Sequence, residues 1–590
     1  MQRFLSQKIV ARLNWIIPGI LFLLGYIYFF IYNRFHLYYL EQTQLFCYTD
    51  DYFTSFISKP GQFIFYLGEF LTQFFVNAVA GAAILTLLGI SLFILAQVIF
   101  RKLRINTLVS AIIPVLFMVA LQSSHLYKLG LTIGLILALF YTLGFLLISK
   151  PMLRYAVGIF GGLILYPLAG GFALWAGLLV ILIELLYFKS KTGWIFVIGL
   201  AFLSIAFPYL GWKFWYIIPF RDAWFSPFPF WGVLKMPLFA AVLVYFPLVI
   251  VTGLVILAIR KKDELIVPWN FASLAAGTLV MIAGMFLIGK KSYDSKIETF
   301  LGMDHYVQIE EWNKVIDQAR KYPGVNQLVT YYTNLALYKT GQLADRMFSF
   351  PQHGAGGLQL EWKRDEVTPF FGGEVFYHLN HFNEAYRWAF ESMVAKGMNP
   401  RSLKRLVQTS IINGHYAIAE KYLSILGQTQ HYKKWAEQYR KSLADNSEMS
   451  QNAEISAKRK FLMTTDFVSV DLGLNQLLQE HPNNRMAFEY QMATFLLTKN
   501  IKGFADNIYR IKDLGYREIP VNYEEALLFC MIYFKKDLVP EGYTIRPETI
   551  QRKNDYIAQL SRFGNNKDQA ASELRKQFGN TCWYYLHFVE

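Results

Sequence analysis

Cysteine is nearly absent from this sequence: Cys47, Cys530 and Cys582 are the only three among 590 residues. They form no CxxC pair, and no Cys/His cluster has the spacing of zinc ligands. These absences exclude a disulfide scaffold and the common zinc-binding motifs. Cys530 and Cys582 could pair in an oxidising compartment, whereas three unpaired buried thiols are the simpler interpretation.

The short motifs that identify common enzyme classes are also missing. The sequence has no Walker loop for nucleotide phosphates, no GxSxG nucleophile motif and no HExxH zinc motif. A transporter is not indicated either, because the apolar segments carry no chain of charges and no clear inverted repeat. Any activity must therefore be inferred from the arrangement of residues rather than from a signature.

Negative charge is scarce in the first half of the chain. Residues 1–289 contain 8 Asp and Glu against 19 Lys and Arg, which gives a net charge of +11. Residues 290–590 contain 34 Asp and Glu against 38 Lys and Arg, which gives a net charge of only +4. Because no basic face with interleaved aromatics and no nucleic-acid motif occurs, nucleic acid is not an expected partner.

Long apolar runs are absent after Lys290 but dominate the sequence before it. A membrane-spanning helix needs about 20 mostly apolar residues. We predict nine spans, at Trp15–Tyr32, Val76–Phe100, Thr107–Gln122, Tyr127–Ile148, Met152–Gly170, Gly171–Phe188, Trp194–Leu210, Met236–Ile259 and Phe271–Ile288. The predicted fold is all-α: a polytopic transmembrane bundle over residues 1–289, followed by a soluble helical domain over residues 290–590. The fifth and sixth spans join at Pro167–Gly171, so a merged span is the alternative.

The Lys and Arg residues of the loops predict the orientation of these spans. With a cytoplasmic N-terminus, 13 of them lie in cytoplasmic loops and only 6 in outer loops, as the positive-inside rule requires. Nine spans then place residues 290–590 outside the cytoplasm, in the periplasm if the membrane is a bacterial inner membrane. The first apolar run is too long for a cleavable signal and predicts an uncleaved anchor. Glu184, near a cytoplasmic end, is expected to pair with Lys189 or Lys191.

The second half has the pattern of helical hairpins. His381–Ala385 recurs 34 positions later as His415–Ala419, with a polar turn before an aromatic residue and an alanine in each copy. This spacing resembles that of tetratricopeptide repeats, which stack helical hairpins of 34 residues, and it predicts an α-solenoid. Phe348–Thr368 interrupts the pattern as a long loop, which is either functional or a mobile insertion.

Acidic and aromatic residues are concentrated in two outer loops, residues 33–75 and 211–235. The first loop contains the acidic pair Asp50 and Asp51, and it ends in an apolar segment that we expect to lie at the membrane interface. The second is part of a stretch, residues 207–231, with 12 Phe, Trp or Tyr residues. Polar and aromatic candidates for binding in the two loops are His36, Glu41, Glu69, Lys213, Arg221, Asp222 and Trp224.

This arrangement resembles the GT-C superfamily of membrane glycosyltransferases, which transfer sugars from polyprenyl-phosphate carriers. The resemblance implies that Asp50 or Asp51 is a general base or holds a divalent metal ion, and no other cofactor is indicated. It also implies that Lys213 and Arg221 bind the carrier phosphate. The alternative is that the aspartates are solvated turn residues, that the aromatics form an interfacial belt, and that Lys213 and Arg221 pair with Asp222 or lipid headgroups.

The whole chain is also similar to a bacterial family of polytopic inner-membrane proteins with a C-terminal helical-repeat domain. Glu41–Phe46 and Gly68–Phe75 carry this resemblance, which implies a topology but no activity. Two functions remain open. One is a glycosyltransferase that uses a polyprenyl-phosphate-linked sugar at the outer face of the membrane. The other is a membrane-anchored scaffold whose tetratricopeptide-like domain recruits protein partners of the envelope or of secretion.

Overall fold

The structure is a computed structural model that describes residues 16–105, 108–229, 237–260, 271–444, 453–464, 471–564 and 566–589. Within these ranges every regular element is a helix, and an isolated bridge between His353 and Ala355 is the only β pairing. The predicted all-α class is therefore confirmed. The chain divides into two compact units, the first comprising Met1–Asp294 with Gln428–Gln430 and the second Ser295–Gly427 with His431–Glu590.

The first unit consists of long apolar helices and a few short ones between them. In chain order they are α1 (Ile16–Tyr32), α2 (Arg34–Gln42), α3 (Asp50–Ile57), α4 (Phe63–Thr72), α5 (Ala78–Lys102), α6 (Leu108–Gln122), α7 (Gly130–Leu147), α8 (Pro151–Ala169), α9 (Gly171–Phe188), α10 (Gly193–Trp215), α11 (Asp222–Phe225), α12 (Pro237–Arg260) and α13 (Phe271–Lys291).

Six of the described helices are long and apolar enough to cross a membrane, which is the pattern of a multi-pass membrane protein: α5, α7, α8, α9, α10 and α12. Two bent helix pairs raise the number to as many as eight if each pair forms one span, and α6 is a shorter apolar helix. The total of nine stays a prediction. The predicted span starts Trp15, Thr107 and Met236 lie outside the described residues, as do the basic residues Arg3, Lys8, Arg12, Lys235, Lys261 and Lys262.

The fifth and sixth predicted spans are separate helices rather than one. They are α8 and α9, and they meet at Gly170, whose φ of +56° ends the first helix. A merged span is excluded because this backbone conformation interrupts the helical path. The two helices pack against each other.

The prediction for Glu184 is wrong. Its carboxylate pairs with Arg154 at 3.0 Å, and it accepts a hydrogen bond from the Tyr155 hydroxyl at 2.9 Å. Both charged side chains are almost fully buried, whereas Lys189 and Lys191 are exposed. A buried carboxylate needs a buried cation because neither charge can be left without a partner at low cost. The partner therefore comes from the neighbouring helix and not from the adjacent loop.

The second unit is built from short helices, of which some are amphipathic and others are buried on every side. They are α14 (Ser295–Gln308), α15 (Trp312–Lys321), α16 (Gln327–Lys339), α17 (Leu343–Arg346), α18 (Thr368–Gly372), α19 (Glu374–His378), α20 (Phe382–Lys396), α21 (Pro400–Ile412), α22 (Tyr416–Gly427), α23 (Lys433–Ala444), α24 (Ala453–Arg459), α25 (Leu474–Glu480), α26 (Arg485–Leu497), α27 (Ile501–Asn507), α28 (Val521–Phe534), α29 (Pro547–Ser561), α30 (Lys567–Phe578) and α31 (Cys582–Phe588). Cys530 and Cys582 are both buried free thiols in this unit and form no disulfide.

Five connections between consecutive helices of this unit share one turn geometry. In each connection, a residue with positive φ lies two positions after the last residue of one helix and two positions before the first residue of the next. These residues are Glu310, Gly341, Asn380, Gly414 and Lys499. The amide of the following residue donates to the carbonyl five positions earlier, at 2.7–2.9 Å, as in a Schellman helix ending. Asn380 and Gly414 are 34 positions apart, the spacing that the repeated sequence predicts.

A buried charge network joins four helices of the second unit. Arg401 of α21 binds Asp304 of α14 at 2.7 Å and Glu374 of α19 at 3.2 Å. The Tyr332 hydroxyl of α16 donates to Asp304 at 2.6 Å, and Arg405 binds Glu374 at 2.6 Å. Asp304 and Glu374 are both buried, and Arg401 is the cation that they share, with Arg405 as a second cation at Glu374.

Replacing Arg401 by methionine should destabilise the second unit by about 3–5 kcal/mol, because two buried carboxylates lose their shared cation. The measurement is equilibrium urea unfolding of the purified protein, followed by tryptophan fluorescence. Arg440→Met is the matched control, since Arg440 binds Glu420 in an exposed pair that should contribute at most about 1 kcal/mol. Equal losses of stability in the two variants would contradict this account.

Candidate functional site

The segment predicted to be the first outer loop, residues 33–75, is folded into helices α2 to α4. The Thr49 hydroxyl caps α3 by accepting a hydrogen bond from the Tyr52 amide at 3.3 Å. Helix α4 packs against the start of α7 at a glycine pair, where a Cβ on Gly68 would lie only 2.6 Å from the Gly130 nitrogen. The two backbones therefore touch, and the loop is held against the long helices of its unit.

An aromatic cluster around Tyr66 fills the space between α3 and α4. The ring centroids of its five neighbours lie 5.0–6.1 Å from that of Tyr66: Phe46, Tyr52, Phe53, Phe56 and Phe63. Aromatic pairs at these separations add to the stabilisation from burial alone. These ring contacts join α3 to α4.

Glu69 lies beside this cluster as a half-buried residue. The Tyr52 hydroxyl donates a short hydrogen bond to it. Burial raises the pKa of the Glu69 carboxyl, while the Tyr52 hydrogen bond and the Lys128 ammonium act in the opposite direction. Burial also raises the pKa of the nearby Cys47 thiol to about 11, so this thiol is protonated at neutral pH. Sequence reasoning missed the Tyr52–Glu69 pair because no periodicity connects the two positions.

The predicted acidic pair and the two other polar candidates of this loop have different environments. Asp50 and Asp51 are exposed in the first turn of α3, where the helix dipole favours carboxylates. His36 and Glu41, in contrast, are buried on α2. The Glu41 carboxylate accepts a hydrogen bond from the side-chain amide of Gln42 at 2.6 Å. His36 lies within electrostatic range of His125.

The second outer loop, described up to Pro229, carries exposed charges among aromatic rings. Arg221 and Asp222 form an exposed pair at 3.5 Å. The Lys213 ammonium lies 5.5 Å from the centroid of the Phe214 ring, and Trp224 contacts Phe220 with a centroid distance of 4.7 Å. The structure thus brings Arg221 and Asp222 together, as the alternative interpretation expects.

The two outer loops meet at the turn between α8 and α9. The Gly171 amide donates to the Ser226 carbonyl at 2.7 Å, and the Gly61 amide donates to the Pro167 carbonyl at 3.0 Å. A side chain on Gly170 would clash with the Ser226 carbonyl oxygen and would come within 3.1 Å of the Gly61 Cα. We call this contact of three backbone segments the loop junction. Nothing in the local sequence predicts it.

The residues of this site do not fit the divalent metal ion that the resemblance implies. Across the described ranges, no three His, Cys, Asp or Glu side chains converge in a group that could hold a metal ion. Asp50 and Asp51 offer carboxylates from one helix start and have no third such ligand beside them. The chemistry of the site is therefore argued from its protein side chains.

A family model described as a family of unknown function (DUF6057) matches residues 8–589. The chain belongs to this family. The match runs through both structural units. No curated protein and no solved structure matches the chain. Family membership supplies no reaction, and the resemblance to GT-C enzymes stays an expectation.

Replacing Gly170 by alanine should loosen the loop junction and destabilise the first unit by about 1–3 kcal/mol, since the methyl group has no room and φ is positive. The measurements are the thermal unfolding midpoint in detergent and the rate of proteolysis within the second outer loop. Gly144→Ala is the matched control: no atom lies within 4 Å of its added Cβ, and alanine favours a helix by up to about 1 kcal/mol. If the two variants behave alike, the junction does not hold the loops.

Proposed function

We propose that this protein is a membrane glycosyltransferase of the GT-C kind, which uses a polyprenyl-phosphate-linked sugar at the outer face of a bacterial inner membrane. The observation that supports this most is the loop junction. It joins the loop that carries Asp50 and Asp51 to the loop that carries Lys213 and Arg221. An acidic helix start and a basic aromatic surface thereby belong to one folded unit, as a transfer site requires.

In the proposed reaction, Asp50 or Asp51 takes the proton of an acceptor hydroxyl as that oxygen attacks the anomeric carbon of the sugar. The bond between this carbon and the carrier phosphate breaks, and the phosphate leaves with the electron pair. Lys213 and Arg221 stabilise the phosphate charge. The Arg221–Asp222 pair is exposed and therefore weak, so phosphate can replace Asp222 at the guanidinium.

The remaining candidates have supporting parts in this proposal. Trp224 and the exposed rings near it contact the sugar or the polyprenyl chain, since aromatic faces suit both. His36 and Glu41 are buried and Glu69 is half-buried, and we assign these three residues to holding the first outer loop in shape. Their side chains would influence the reaction through the position of α3.

The proposal includes a topology and a role for the second unit. Nine spans with a cytoplasmic N-terminus put both outer loops and the second unit in the periplasm, and the distribution of Lys and Arg supports this. The second unit would be a tetratricopeptide-like α-solenoid, an interpretation supported by the five shared turns. It would bind the acceptor or a protein partner of the envelope.

Replacing Asp50 and Asp51 by asparagine, singly and together, should lower transfer by about 10²–10⁴-fold at the position that acts as the base. In the native bacterium, lipid-linked sugars should accumulate and a surface glycan should be lost, both measured by mass spectrometry. Asp317→Asn is the control, because Asp317 is an exposed acidic residue of α15 in the second unit.

Unchanged lipid-linked sugars and glycans at normal protein levels would contradict the enzyme proposal and leave the scaffold hypothesis. Deletion of residues 295–590 then tests the scaffold. Co-purification of the same protein partners with the truncated chain would contradict recruitment by the second unit.

A further inference from the structure

The last turn of α28 presents an exposed apolar and aromatic surface that the proposed reaction does not use. The helix is buried over Asn522–Leu528 and at Cys530, where it packs within the second unit. Its end then leaves the packed core: Ile532 is 58% exposed, Tyr533 69% and Phe534 38%. Single exposed apolar residues are common on protein surfaces, whereas three in succession form a patch of the kind that marks an interaction site.

Two lysines follow this patch directly. Lys535 adopts a left-handed conformation with a φ of +53°, which ends α28. Lys536 comes next, and both lysines are exposed. We call residues 532–536 the aromatic tip. Because the tip continues a buried helix, its position is fixed by the core of the second unit.

The start of α27 brings two more lysines towards this end of α28. The Cys530 thiol donates a weak hydrogen bond to the Ile501 carbonyl at a distance of 3.8 Å. Lys499 lies two positions before Ile501 and Lys502 directly after it, and both are exposed. The two helices therefore present lysines on the same side of the second unit.

A fifth lysine is placed by the contacts of His587. The His587 ring packs against Phe529 of α28 with a centroid distance of 5.6 Å. Partial desolvation lowers the pKa of the His587 imidazole, and the nearby Lys499 and Lys567 ammonium groups lower it further. The lysines at this end of the unit outnumber the acidic residues next to them in the sequence, Asp537 and Asp568. The five lysines are Lys499, Lys502, Lys535, Lys536 and Lys567.

This composition suits a membrane surface. Tyrosine and phenylalanine rings favour the level of the lipid headgroups, where one end of the side chain is apolar and the other is wet. Lysine ammonium groups bind anionic headgroups, and each one near such a surface raises partitioning by about fivefold. The outer face of a terminal helical repeat is normally polar, so the apolar tip departs from what solubility alone requires.

The chain itself keeps the second unit near a bilayer. The first unit, to which it is joined, has the apolar helices of a multi-pass membrane protein. Such a tether raises the effective concentration of lipid at the second unit, so that an affinity too weak for a free protein is sufficient here. A small apolar patch with a few lysines supplies an affinity of that order.

We propose that the aromatic tip inserts into the surface of a membrane that contains anionic phospholipid. Its three apolar side chains lie among the upper parts of the acyl chains, and the lysines bind lipid phosphates. The tip belongs to the second unit alone, so this inference stands whether or not the first unit transfers a sugar. It gives the second unit a contact with the bilayer in addition to its covalent connection.

The test is fluorescence quenching in the full-length protein in lipid nanodiscs. The three native cysteines are replaced by alanine, and a bimane label is attached to Tyr533→Cys. The nanodiscs contain phosphatidylcholine alone or mixed with phosphatidylglycerol, with or without a nitroxide on a shallow position of the acyl chain. We expect the nitroxide to quench the label, and to do so more strongly when phosphatidylglycerol is present.

Two double variants test the parts of the tip separately. Ile532→Ser with Phe534→Ser should lower the ratio of inserted to free tip by about tenfold or more, because apolar area is lost. Lys535→Gln with Lys536→Gln should lower it by about 25-fold in the anionic nanodiscs. All four residues are exposed, so the unfolding midpoint should not change. Lys363→Gln with Arg364→Gln is the matched control, since this exposed basic pair lies in another loop and should leave quenching unchanged.

The alternatives give distinct results that contradict the proposal. A label that is unquenched in both kinds of nanodisc and emits as in water shows a tip free in solvent. An unquenched label with blue-shifted emission shows a tip covered by protein, such as a second copy of the chain. Quenching that is the same in both double variants as in the parent would also overturn the proposal, because the tip would then not be what holds the label in lipid.

Discussion

The arrangement of the two loops at residues 33–75 and 211–235 of the first unit depends on a contact between backbones at Gly170. No side chain fits there, because the Ser226 carbonyl and the Gly61 backbone occupy the space. The same glycine ends α8 with a positive φ and lets α9 begin one residue later. One residue therefore sets the angle between two long helices and also fixes two loops that are distant in sequence. The proposed transfer site exists only if this contact is kept.

A second constraint acts on the buried charges of both units. Arg154 and Glu184 in the first unit, and Arg401 with its two carboxylates in the second, are all withdrawn from water. Such groups are tolerated only when each charge is paired and its remaining hydrogen-bonding capacity is used. Here the Tyr155 hydroxyl donates such a hydrogen bond to Glu184, and the Tyr332 hydroxyl donates one to Asp304.

The features that the sequence predicts correctly are those that depend on local patterns of residues. Apolar length predicts the six long helices, and the turn composition around His381 and His415 predicts two hairpins 34 residues apart. The features that it misses are contacts between distant segments. Proximity in the chain points Glu184 to the adjacent lysines, whereas its partner Arg154 is 30 residues away. Neither the Tyr52–Glu69 pair nor the loop junction has a periodic signal in the sequence. The candidate residues could be named, but their grouping and burial required the fold.

The central claim is that the two outer loops form one rigid surface around Gly170. Double electron–electron resonance can measure the distance between two spin labels. The labels are attached to cysteines that replace Ser55 of α3 and the fully exposed Ile217, and the three native cysteines are replaced by alanine. The account predicts a single narrow distance distribution in lipid nanodiscs, and a broad one when Gly170 is changed to valine. A broad distribution with Gly170 intact would show that the loops move independently, and it would contradict the claim.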